Sequence, residues 1–373
     1  MMHHPIPKNA WCEIYLDRFS KNLELALDLV PQGTRFCAVL KADAYGHGIS
    51  QTVPLVREQG VDCIGITSNS EAREVRNTGF AGSLIRLRAA TQVEIDQAVH
   101  DRVEEQVGSL QTARYLSVLI KSGRYQMGAH LSLNAKGMSR DGLEISTVAG
   151  QETCRRIVGT LGEKIVGICS HFPSNDKEHL RQNSKLFQQQ VDWVLANSKL
   201  KRKDLLIHAG SSLTLISEEH VKTDMFRCGA ILYGILKPEL GFLPTMELKA
   251  RVVSIGDYPM GTTVGYDRSK LLEQDGRLAC ISIGYANGFR RNGFERSIVS
   301  INGNSCPVVG KISMNTIVAD VTEMKEVQVG DEVVIFGGAH ANKIGRDSAE
   351  HQFETIMADL YSDWGLRNPR KYR

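Results

Sequence analysis

In the stretch "AVLKADAYGHG", residues 38–48, an apolar run ends at a lysine, and a tyrosine and two glycines follow within seven residues. The apolar residues predict a buried strand, and Lys41 stands where that strand ends. Taken alone, a lysine at a strand end is typical of a surface charge. Gly46 and Gly48 indicate a compact turn directly after it. This run is the first of a series, and the series decides the fold.

Short apolar runs alternate with amphipathic, helix-like segments up to about residue 240. The runs are "CAVLK" (37–41), "CIGIT" (63–67), "LIRLR" (84–88), "EEQVGS" (104–109), "HLSLN" (130–134), "IVGICSH" (165–171), "LLIHAG" (205–210) and "GAILYG" (229–234). Between them, Ser68 with Glu71 and Thr91 with Glu94 have the spacing of a helix capping box. Eight strands separated by helices predict a parallel (βα)8 TIM-type barrel, in the α/β class, because eight such units close on themselves.

After residue 240 the pattern changes to short β-rich runs broken by Gly, Asn and Asp. These runs are "LKARVVSIG", "RLACISIGY", "SIVSING", "CPVVGKISM", "TIVADVT" and "DEVVIFGG". A helical pattern returns only at about 346–365. We therefore expect a barrel over residues 1–240 and a mostly β C-terminal domain with one terminal helix over residues 241–373.

Composition excludes several classes of function. The chain has 373 residues, and its net charge of +3 is too small to indicate a nucleic-acid or membrane partner. No cysteine or histidine cluster has metal-ligand spacing, so no metal site is expected. The eight cysteines form no CxxC pair and no apolar leader is visible, which predicts free thiols in the cytoplasm. A leader removed before this sequence begins would instead make the protein periplasmic.

Polar residues are expected to face the barrel interior in one region. In "LIRLR", side-chain alternation puts Ile85 and Leu87 on the helix-facing side, which turns Arg86 and Arg88 inward. In "HLSLN", the same argument turns His130, Ser132 and Asn134 inward. If "LIRLR" were an edge strand, the two arginines would instead be a solvated pair.

Lys41, His171 and His208 each end an apolar run, and barrel active sites lie at the carboxyl ends of the strands. A single histidine at such a place is more often a hydrogen-bonded core residue than a catalyst. Buried arginines, however, require an anion, and the interior shows no obvious carboxylate. We therefore expect an anionic ligand, or a bound anion such as chloride, near Arg86, Arg88 and Arg140.

A phosphorylated aldehyde cofactor would suit these residues. A desolvated lysine has a lowered pKa and can form a Schiff base, which suits Lys41. The small residues of "HAGSS" (208–212) and "CGA" (228–230) would let backbone N–H groups approach a phosphate. Composition alone leaves this as one interpretation among several.

The motifs then indicate a family. "AVLKADAYGHG" resembles the cofactor-lysine motif of the alanine racemase family, which depends on pyridoxal 5'-phosphate. The resemblance extends along nearly the whole chain through "SHFPSND" (170–176), "IHAGSS" (207–212), "DMFRCGAILYG" (224–234), "LKARVVSI" (248–255), "VGYDR" (264–268), "ISIGYANG" (281–288) and "VVGKISMN" (308–315). It implies a barrel followed by a β domain, and a homodimer whose active sites take residues from both chains.

The resemblance also implies roles for individual residues. Lys41 would be the Schiff-base lysine and one acid/base group, and the partner subunit's Tyr285 would be the second, on the opposite face of the cofactor. Arg227 would face the pyridine nitrogen and keep it unprotonated. The full implied cofactor set is Lys41, Tyr45, Arg140, His171, His208, Ser211, Ser212, Arg227, Gly229 and Ala230. The implied substrate set is Arg140, Met314, Ala358 and Asn134.

Two departures from the family pattern bear on the substrate. Many alanine racemases carry a carbamylated lysine on strand five, where this chain has Ser132 and Asn134, so an inorganic anion could replace the carbamate. Ala358 stands where the family usually has a tyrosine at the substrate entrance. The missing ring predicts a wider pocket, as in the broad-specificity amino-acid racemase branch, for alanine and for larger or polar amino acids.

Three alternatives stay open at this point. They are a strict alanine racemase, a pyridoxal-phosphate amino-acid decarboxylase of the same architecture, and a non-catalytic single-barrel cofactor-binding protein. The decarboxylases place an acidic residue at the pyridine nitrogen, so Arg227 and Tyr285 argue against that class. The single-barrel proteins lack the β domain, and therefore lack Tyr285 and Met314.

Overall fold

The computed structural model describes residues 9–135, 137, 141–294, 296–338 and 344–373. These residues form two compact units. The barrel unit comprises Ser20–Ala44 and Ile49–Leu232, and the β unit comprises the described residues up to Phe19 together with Tyr45–Gly48 and Tyr233–Arg373. The β unit therefore includes the first strand, β1 (Ala10–Ile14), and four residues of the lysine motif, which the sequence did not indicate.

Parallel strands form the centre of the barrel unit. They are β2 (Arg35–Val39), β3 (Cys63–Ile66), β4 (Ser83–Arg86), β5 (Glu105–Val107), β6 (Ala129–Ser132), β7 (Ile165–Cys169), β8 (Leu206–His208), β9 (Gly210–Ser211) and β10 (Met225–Cys228). They pair in the orders β4-β3-β2-β10-β9 and β5-β6-β7-β8, and a bridge between Ile85 and Glu104 joins β4 to the chain entering β5. Only Ala209 separates β8 from β9, so the described strands occupy eight positions and confirm the barrel prediction.

Helices connect the barrel strands. They are α1 (Leu16–Asp28), which leads into β2, and α3 (Ile49–Glu58), α4 (Asn69–Asn77), α5 (Gln92–Gln97), α6 (Leu110–Lys121), α7 (Val148–Leu161), α8 (Lys177–Ala196) and α9 (Ser212–Leu215). The short segment α2 (Lys41–Tyr45) has left-handed backbone angles and is a turn rather than a right-handed helix. Both predicted capping boxes are present, at Ser68 with Glu71 before α4 and at Thr91 with Glu94 before α5. No helix within the described residues combines the length and apolar character needed to cross a membrane.

Apolar side chains pack between the strands and the surrounding helices. Leu131 and Leu133 belong to one buried cluster with Leu116 of α6 and Phe187 of α8. Their outward direction is the one that strand alternation predicted. The interior face of β6 is accordingly polar, and His130 is buried there.

The predicted eighth strand was misplaced. The strand is β10, "MFRC", whereas most of the run "GAILYG" forms a 3-10 helix over Ala230–Tyr233. A short apolar run cannot be distinguished from a buried helical segment by periodicity alone. The inward-facing Arg227 interrupted the apolar pattern of the true strand.

Long and short strands form the β unit. After β1 they are β11 (Met246–Tyr258), β12 (Thr263–Val264), β13 (Lys270–Leu271), β14 (Gly276–Ile281), β15 (Ile298–Ile301), β16 (Asn304–Pro307), β17 (Ile317–Asp320), β18 (Glu332–Phe336) and β19 (Arg370–Tyr372). The main sheet has the order β16-β15-β18-β11-β1-β19, and β14 joins β11 to β17. Strand β1 pairs with β11 antiparallel and with β19 parallel, so the two ends of the chain meet in one sheet.

The single terminal helix that the sequence predicted is two helices. They are α10 (Arg346–Phe353) and α11 (Met357–Arg367), and between them Glu354 has a φ of +49°. A left-handed residue cannot continue a right-handed helix, so the chain turns there. Ala358 consequently lies in the first turn of α11, half-buried.

The backbones of Gly46 and Gly365 approach each other closely within the β unit. A Cβ at Gly365 would lie 2.0 Å from the Gly46 carbonyl oxygen, and a Cβ at Gly46 would lie 2.3 Å from the Tyr361 carbonyl oxygen. Gly46 also has a φ of +80°. Gly46 and Gly48 have positive φ in the turn that the sequence indicated. Gly46 also allows α11 to pack against it.

This contact predicts a stability effect. Gly365→Ala should lower the free energy of unfolding by about 3 kcal/mol, because the opposing atoms are backbone and cannot move aside. Gly159→Ala is the matched control, since Gly159 lies in α7 with nothing near the added methyl. The control should stabilise by about 0.5–1 kcal/mol through helix propensity. Urea denaturation of both variants tests this, and equal effects would contradict it.

Candidate active site

Lys41 follows β2 directly and begins a left-handed turn. The φ angles of Ala42, Asp43, Ala44 and Tyr45 are +54°, +52°, +56° and +51°. L-residues in this conformation cost roughly 1–2 kcal/mol each, so the surroundings must impose it. Nothing in the sequence signals four such residues in succession, because alanine and tyrosine rarely adopt this conformation and of the four only Asp43 is of a type enriched in it.

Hydrogen bonds within the barrel unit hold this turn. The Ala42 N–H donates to Glu71 Oε1 at 2.7 Å, and the Ile49 N–H donates to Asp43 Oδ1 at 2.8 Å. Glu71 is the capping-box residue of α4, and its other oxygen accepts the Ser68 N–H. The helix cap of the next βα unit therefore also fixes the backbone beside Lys41, whose side chain is half-buried.

Tyr45 and His47, which follow Lys41 in the motif, pack in the β unit. The Tyr45 ring stacks on Tyr233 with 4.5 Å between ring centroids. His47 is fully buried, with Nδ1 3.0 Å from the Tyr45 carbonyl oxygen and Nε2 2.8 Å from Thr245 Oγ1. Both imidazole nitrogens are thus engaged in packing this segment, which makes the role of His47 structural.

Arg227 and His208 form a buried pair on β10 and β8. Arg227 Nη1 donates to His208 Nδ1 at 2.7 Å and to the His208 carbonyl oxygen at 2.9 Å, and its Nη2 donates to the Ser170 carbonyl oxygen at 2.8 Å. Burial, and then the Arg227 charge, hold the pKa of His208 well below its ordinary value of 6.5. His208 is therefore neutral. His171 follows Ser170 directly and is half-buried.

Small residues gather after β9 and β10. Ser211 caps α9 by accepting the Thr214 N–H, and Ser212 is buried with its Oγ accepting the Gly229 N–H at 3.0 Å. The 3-10 helix that starts at Ala230 follows at once. Two helical beginnings thus meet through the Ser212–Gly229 hydrogen bond, at the carboxyl ends of neighbouring strands.

Arg86 and Arg88 both have carboxylate partners, which contradicts the expectation that the interior lacks them. Arg86 is fully buried, and its Nε and Nη2 donate to Glu105 at 2.9 and 3.1 Å. Arg88 does not lie in the interior, since its side chain is 38% exposed and pairs with Glu94. Glu105 lies on β5, a short polar strand whose sequence pattern does not indicate which side chains face the interior. The expectation of a bound anion rested on interior arginines without a carboxylate partner, so Arg86 and Arg88 no longer support it.

The segment after β6 is only partly described. Asn134 is half-buried, and its Nδ2 donates to Glu144 Oε2 at 3.0 Å. Ser132 Oγ lies 3.4 Å from Asp141 Oδ1. Arg140, predicted to contact both cofactor and substrate, lies outside the described residues. Its part in binding an anion stays a prediction.

Tyr285 and Met314 lie side by side in the β unit. The Tyr285 N–H donates to the Ser313 carbonyl oxygen at 3.1 Å, and the Ala286 N–H donates to the Met314 carbonyl oxygen at 2.9 Å. Both side chains are exposed in the single chain, Tyr285 by 38% and Met314 by 54%. The motifs "IGYANG" and "ISMN" are therefore one structural feature.

The described donor set fits pyridoxal phosphate. A half-buried amine, Lys41, can bind an aldehyde, and the Arg227 guanidinium can face a ring nitrogen. The hydroxyls of Ser211 and Ser212, with the backbone N–H groups near Gly229, suit a phosphate dianion. Strand β10 pairs with β2 and β9, which brings these groups to adjacent strands of one barrel.

Comparisons with known proteins match almost the whole chain. The alanine racemase N-terminal domain model matches residues 14–237, and the C-terminal domain model matches residues 245–372. A broad specificity amino-acid racemase from Aeromonas hydrophila is 40% identical, over 98% of this chain and 90% of its own length. A lysine racemase from Proteus mirabilis is 38% identical, over 98% of this chain and 90% of its own.

Solved structures show the same fold. The alanine racemase of Clostridium difficile 630 superposes with a TM-score of 0.87 at 26% identity, covering 99% of this chain and 96% of that one. The alanine racemase of Bartonella henselae, which has covalently bound pyridoxal phosphate, superposes with a TM-score of 0.85 at 24% identity, covering 98% and 100%. From both family models and from relatives near 40% identity over almost its full length, the chain belongs to the alanine racemase family of pyridoxal-phosphate-dependent amino-acid racemases.

Proposed function

We propose that this racemase is a homodimer with a two-base mechanism and accepts amino acids well beyond alanine. The observation that carries the proposal is the pairing of β10 with β2, which puts Arg227 on the strand next to the one that presents Lys41. An amine and a permanent cation thus stand on neighbouring strands, as the aldehyde and the ring nitrogen of one cofactor require.

The barrel unit would hold the cofactor. Ser211, Ser212 and the backbone at Gly229 and Ala230 would bind the phosphate, and Lys41 would bind the aldehyde. When bound, pyridoxal phosphate supplies an electron sink that acidifies the Cα–H bond of the amino acid attached to it. Arg227 cannot give up its proton, so it would keep the ring nitrogen unprotonated and the sink weak, which disfavours transamination. The neutral His208 supports this role because its Nδ1 accepts a hydrogen bond from Arg227 and does not present a second donor to the guanidinium.

Two bases are needed because a proton that leaves one face of Cα must be returned to the other. Lys41 Nζ would serve one face and the partner subunit's Tyr285 the opposite face. A phenol ordinarily keeps its proton at neutral pH, since its pKa is about 10, so a neighbour must assist. His171 is the proposed neighbour. The exposure of Tyr285 and Met314 in the single chain supports a role toward another subunit.

The substrate range is inferred from Ala358 and from relatives. The similar proteins named above are a broad specificity amino-acid racemase and a lysine racemase. Ala358 lies in the first turn of α11 and carries only a methyl group where the family usually has a tyrosine ring. A pocket without that ring can admit side chains longer than a methyl.

The first test measures the range of amino acids that the enzyme accepts. L-amino acids are incubated in deuterium oxide, and Cα exchange and enantiomer ratio are followed by mass spectrometry and chiral chromatography. We expect exchange with several larger or polar amino acids besides alanine. Turnover of alanine alone would overturn the proposed range while leaving the racemase chemistry intact.

Refilling the pocket should narrow the range. Ala358→Tyr should lower kcat/KM for lysine-sized substrates by about tenfold or more relative to alanine, because the added ring takes the space that their side chains need. Leu366→Tyr is the control, since Leu366 lies on the same helix but is 63% exposed. If both variants changed the lysine-to-alanine ratio equally, Ala358 would not line the pocket.

A further inference from the structure

A chain of four polar side chains crosses the barrel unit and ends at Arg227. Glu104 Oε2 lies 2.8 Å from His130 Nε2, and His130 Nδ1 lies 2.9 Å from His208 Nε2. His208 Nδ1 in turn lies 2.7 Å from Arg227 Nη1. Glu104 precedes β5, at the amino ends of the strands, whereas His208 is the last residue of β8. The chain therefore runs from one end of the barrel to the other.

Room for this chain is built into the neighbouring strand. His130 on β6 is opposite Gly167 on β7, and a Cβ at Gly167 would lie 2.3 Å from His130 Nδ1. His130 is 1% exposed and His208 is fully buried. The two rings meet edge to face, with 4.9 Å between their centroids. Neither ring therefore faces bulk solvent.

The hydrogens in this chain can follow only one order. A guanidinium is always a donor, so His208 Nδ1 must accept and its proton must sit on Nε2. That proton points at His130 Nδ1, which must also accept, so His130 carries its own proton on Nε2 and donates it to Glu104. Glu104 can accept it as a carboxylate. Burial raises the pKa of Glu104, but the interactions with His130 and Ser83 and the Arg35 charge together outweigh burial and hold it below its ordinary value of 4.5.

A second proton on either ring would break the order. A doubly protonated His130 would present N–H to the N–H of His208, and a doubly protonated His208 would present N–H to Arg227. Both arrangements set donor against donor in a buried place. Starting from the other end gives the same order. The Glu104 carboxylate requires the proton of a neutral His130 on Nε2, which leaves His130 Nδ1 to accept from His208 and His208 Nδ1 to accept from Arg227.

We propose that Glu104 and His130 are positioning residues of the racemase, which fix the tautomer of His208 and thereby the place of the Arg227 guanidinium. The proton order follows from geometry alone. Its kinetic consequence rests on the proposed role of Arg227 at the cofactor nitrogen. In metal sites, outer hydrogen-bond partners change activity by about 10- to 100-fold when removed, and we expect a loss of the same order here.

Neutron diffraction from crystals of the perdeuterated holoenzyme tests the order directly, because every labile and non-labile hydrogen is then deuterium and no exchange into the buried rings is needed. We expect deuterium on Nε2 of both His130 and His208, none on either Nδ1 and none on Glu104. Deuterium on Nδ1 of either ring, or on the carboxyl, would overturn the proposal. This map reports the proton order whatever Arg227 contacts, so it separates this inference from the proposed function.

A pair of variants tests the positioning role. His130→Asn keeps an oxygen that can accept from His208, whereas His130→Leu offers no acceptor. We expect kcat to fall about 10- to 100-fold in the leucine variant, with KM changed less than about threefold, and to recover most of the loss in the asparagine variant. Equal kcat values in the two variants, or a wild-type kcat for leucine, would overturn it. The visible absorbance of the bound cofactor, measured on both, confirms that each is folded and loaded.

Discussion

Replacing Lys41 with alanine is expected to lower kcat by at least about a thousandfold and to remove the visible absorbance of lysine-bound cofactor. The side chain has two proposed tasks, as covalent anchor and as one of the two bases, and alanine can do neither. Absorbance spectra of the purified variant and chiral chromatography of its products measure both losses. The turn beside Lys41 is also held by the hydrogen bonds from Ala42 to Glu71 and from Ile49 to Asp43, which the substitution leaves in place.

Lys121→Ala is the matched control for this experiment. Lys121 lies exposed in the last turn of α6, so its removal should leave spectrum and rate unchanged. A visible band that survives in Lys41→Ala would show that another amine binds the cofactor. If the band were lost while racemisation stayed at the wild-type rate, covalent binding of the cofactor to Lys41 would not be needed for the reaction.

Tyr285→Phe is expected to lower racemisation by about 10²–10⁴-fold while leaving one half of the chemistry intact. Without the phenol, a proton can still be exchanged on the face served by Lys41. Deuterium should therefore enter Cα of one enantiomer of alanine, which is recovered without inversion, and should not enter the other. Proton NMR in deuterium oxide, run separately from each enantiomer, detects this asymmetry.

Tyr258→Phe provides the control, because Tyr258 at the end of β11 is 41% exposed and Tyr285 is 38% exposed. It should exchange both enantiomers at the wild-type rate. Equal slowing for the two enantiomers in Tyr285→Phe would mean that the tyrosine positions the substrate rather than acting as a base.

The barrel could be predicted because its signal is local and repeated. Each strand is a short apolar run, and helices have start signals such as Ser68 with Glu71. Misplacing one element therefore does not change the predicted fold. Strand β10 was misplaced for the opposite reason, since one inward-facing arginine interrupted its pattern. Strand β1 was missed because its partners, β11 and β19, lie more than 200 residues along the chain.

Much of the candidate site could be inferred from motifs, but its supporting contacts could not. The sequence marked His208 and Arg227 singly, and their 2.7 Å contact required the fold. His130 was placed in the interior by alternation, yet its partner Glu104 precedes a different strand. The error at Arg86 has the same origin, because Glu105 is 19 residues away and its strand is too short to show which side faces inward.

The left-handed turn at residues 42–45 has a consequence for protein design. Copying the lysine motif into another barrel would transfer Lys41 but not Glu71, which lies in the next βα unit and accepts the Ala42 N–H. Without that acceptor, the graft would relax to ordinary right-handed or extended backbone and point the amine elsewhere. The smallest portable piece of this chemistry is therefore two consecutive βα units, and a designer who borrows the loop alone would obtain only a surface lysine.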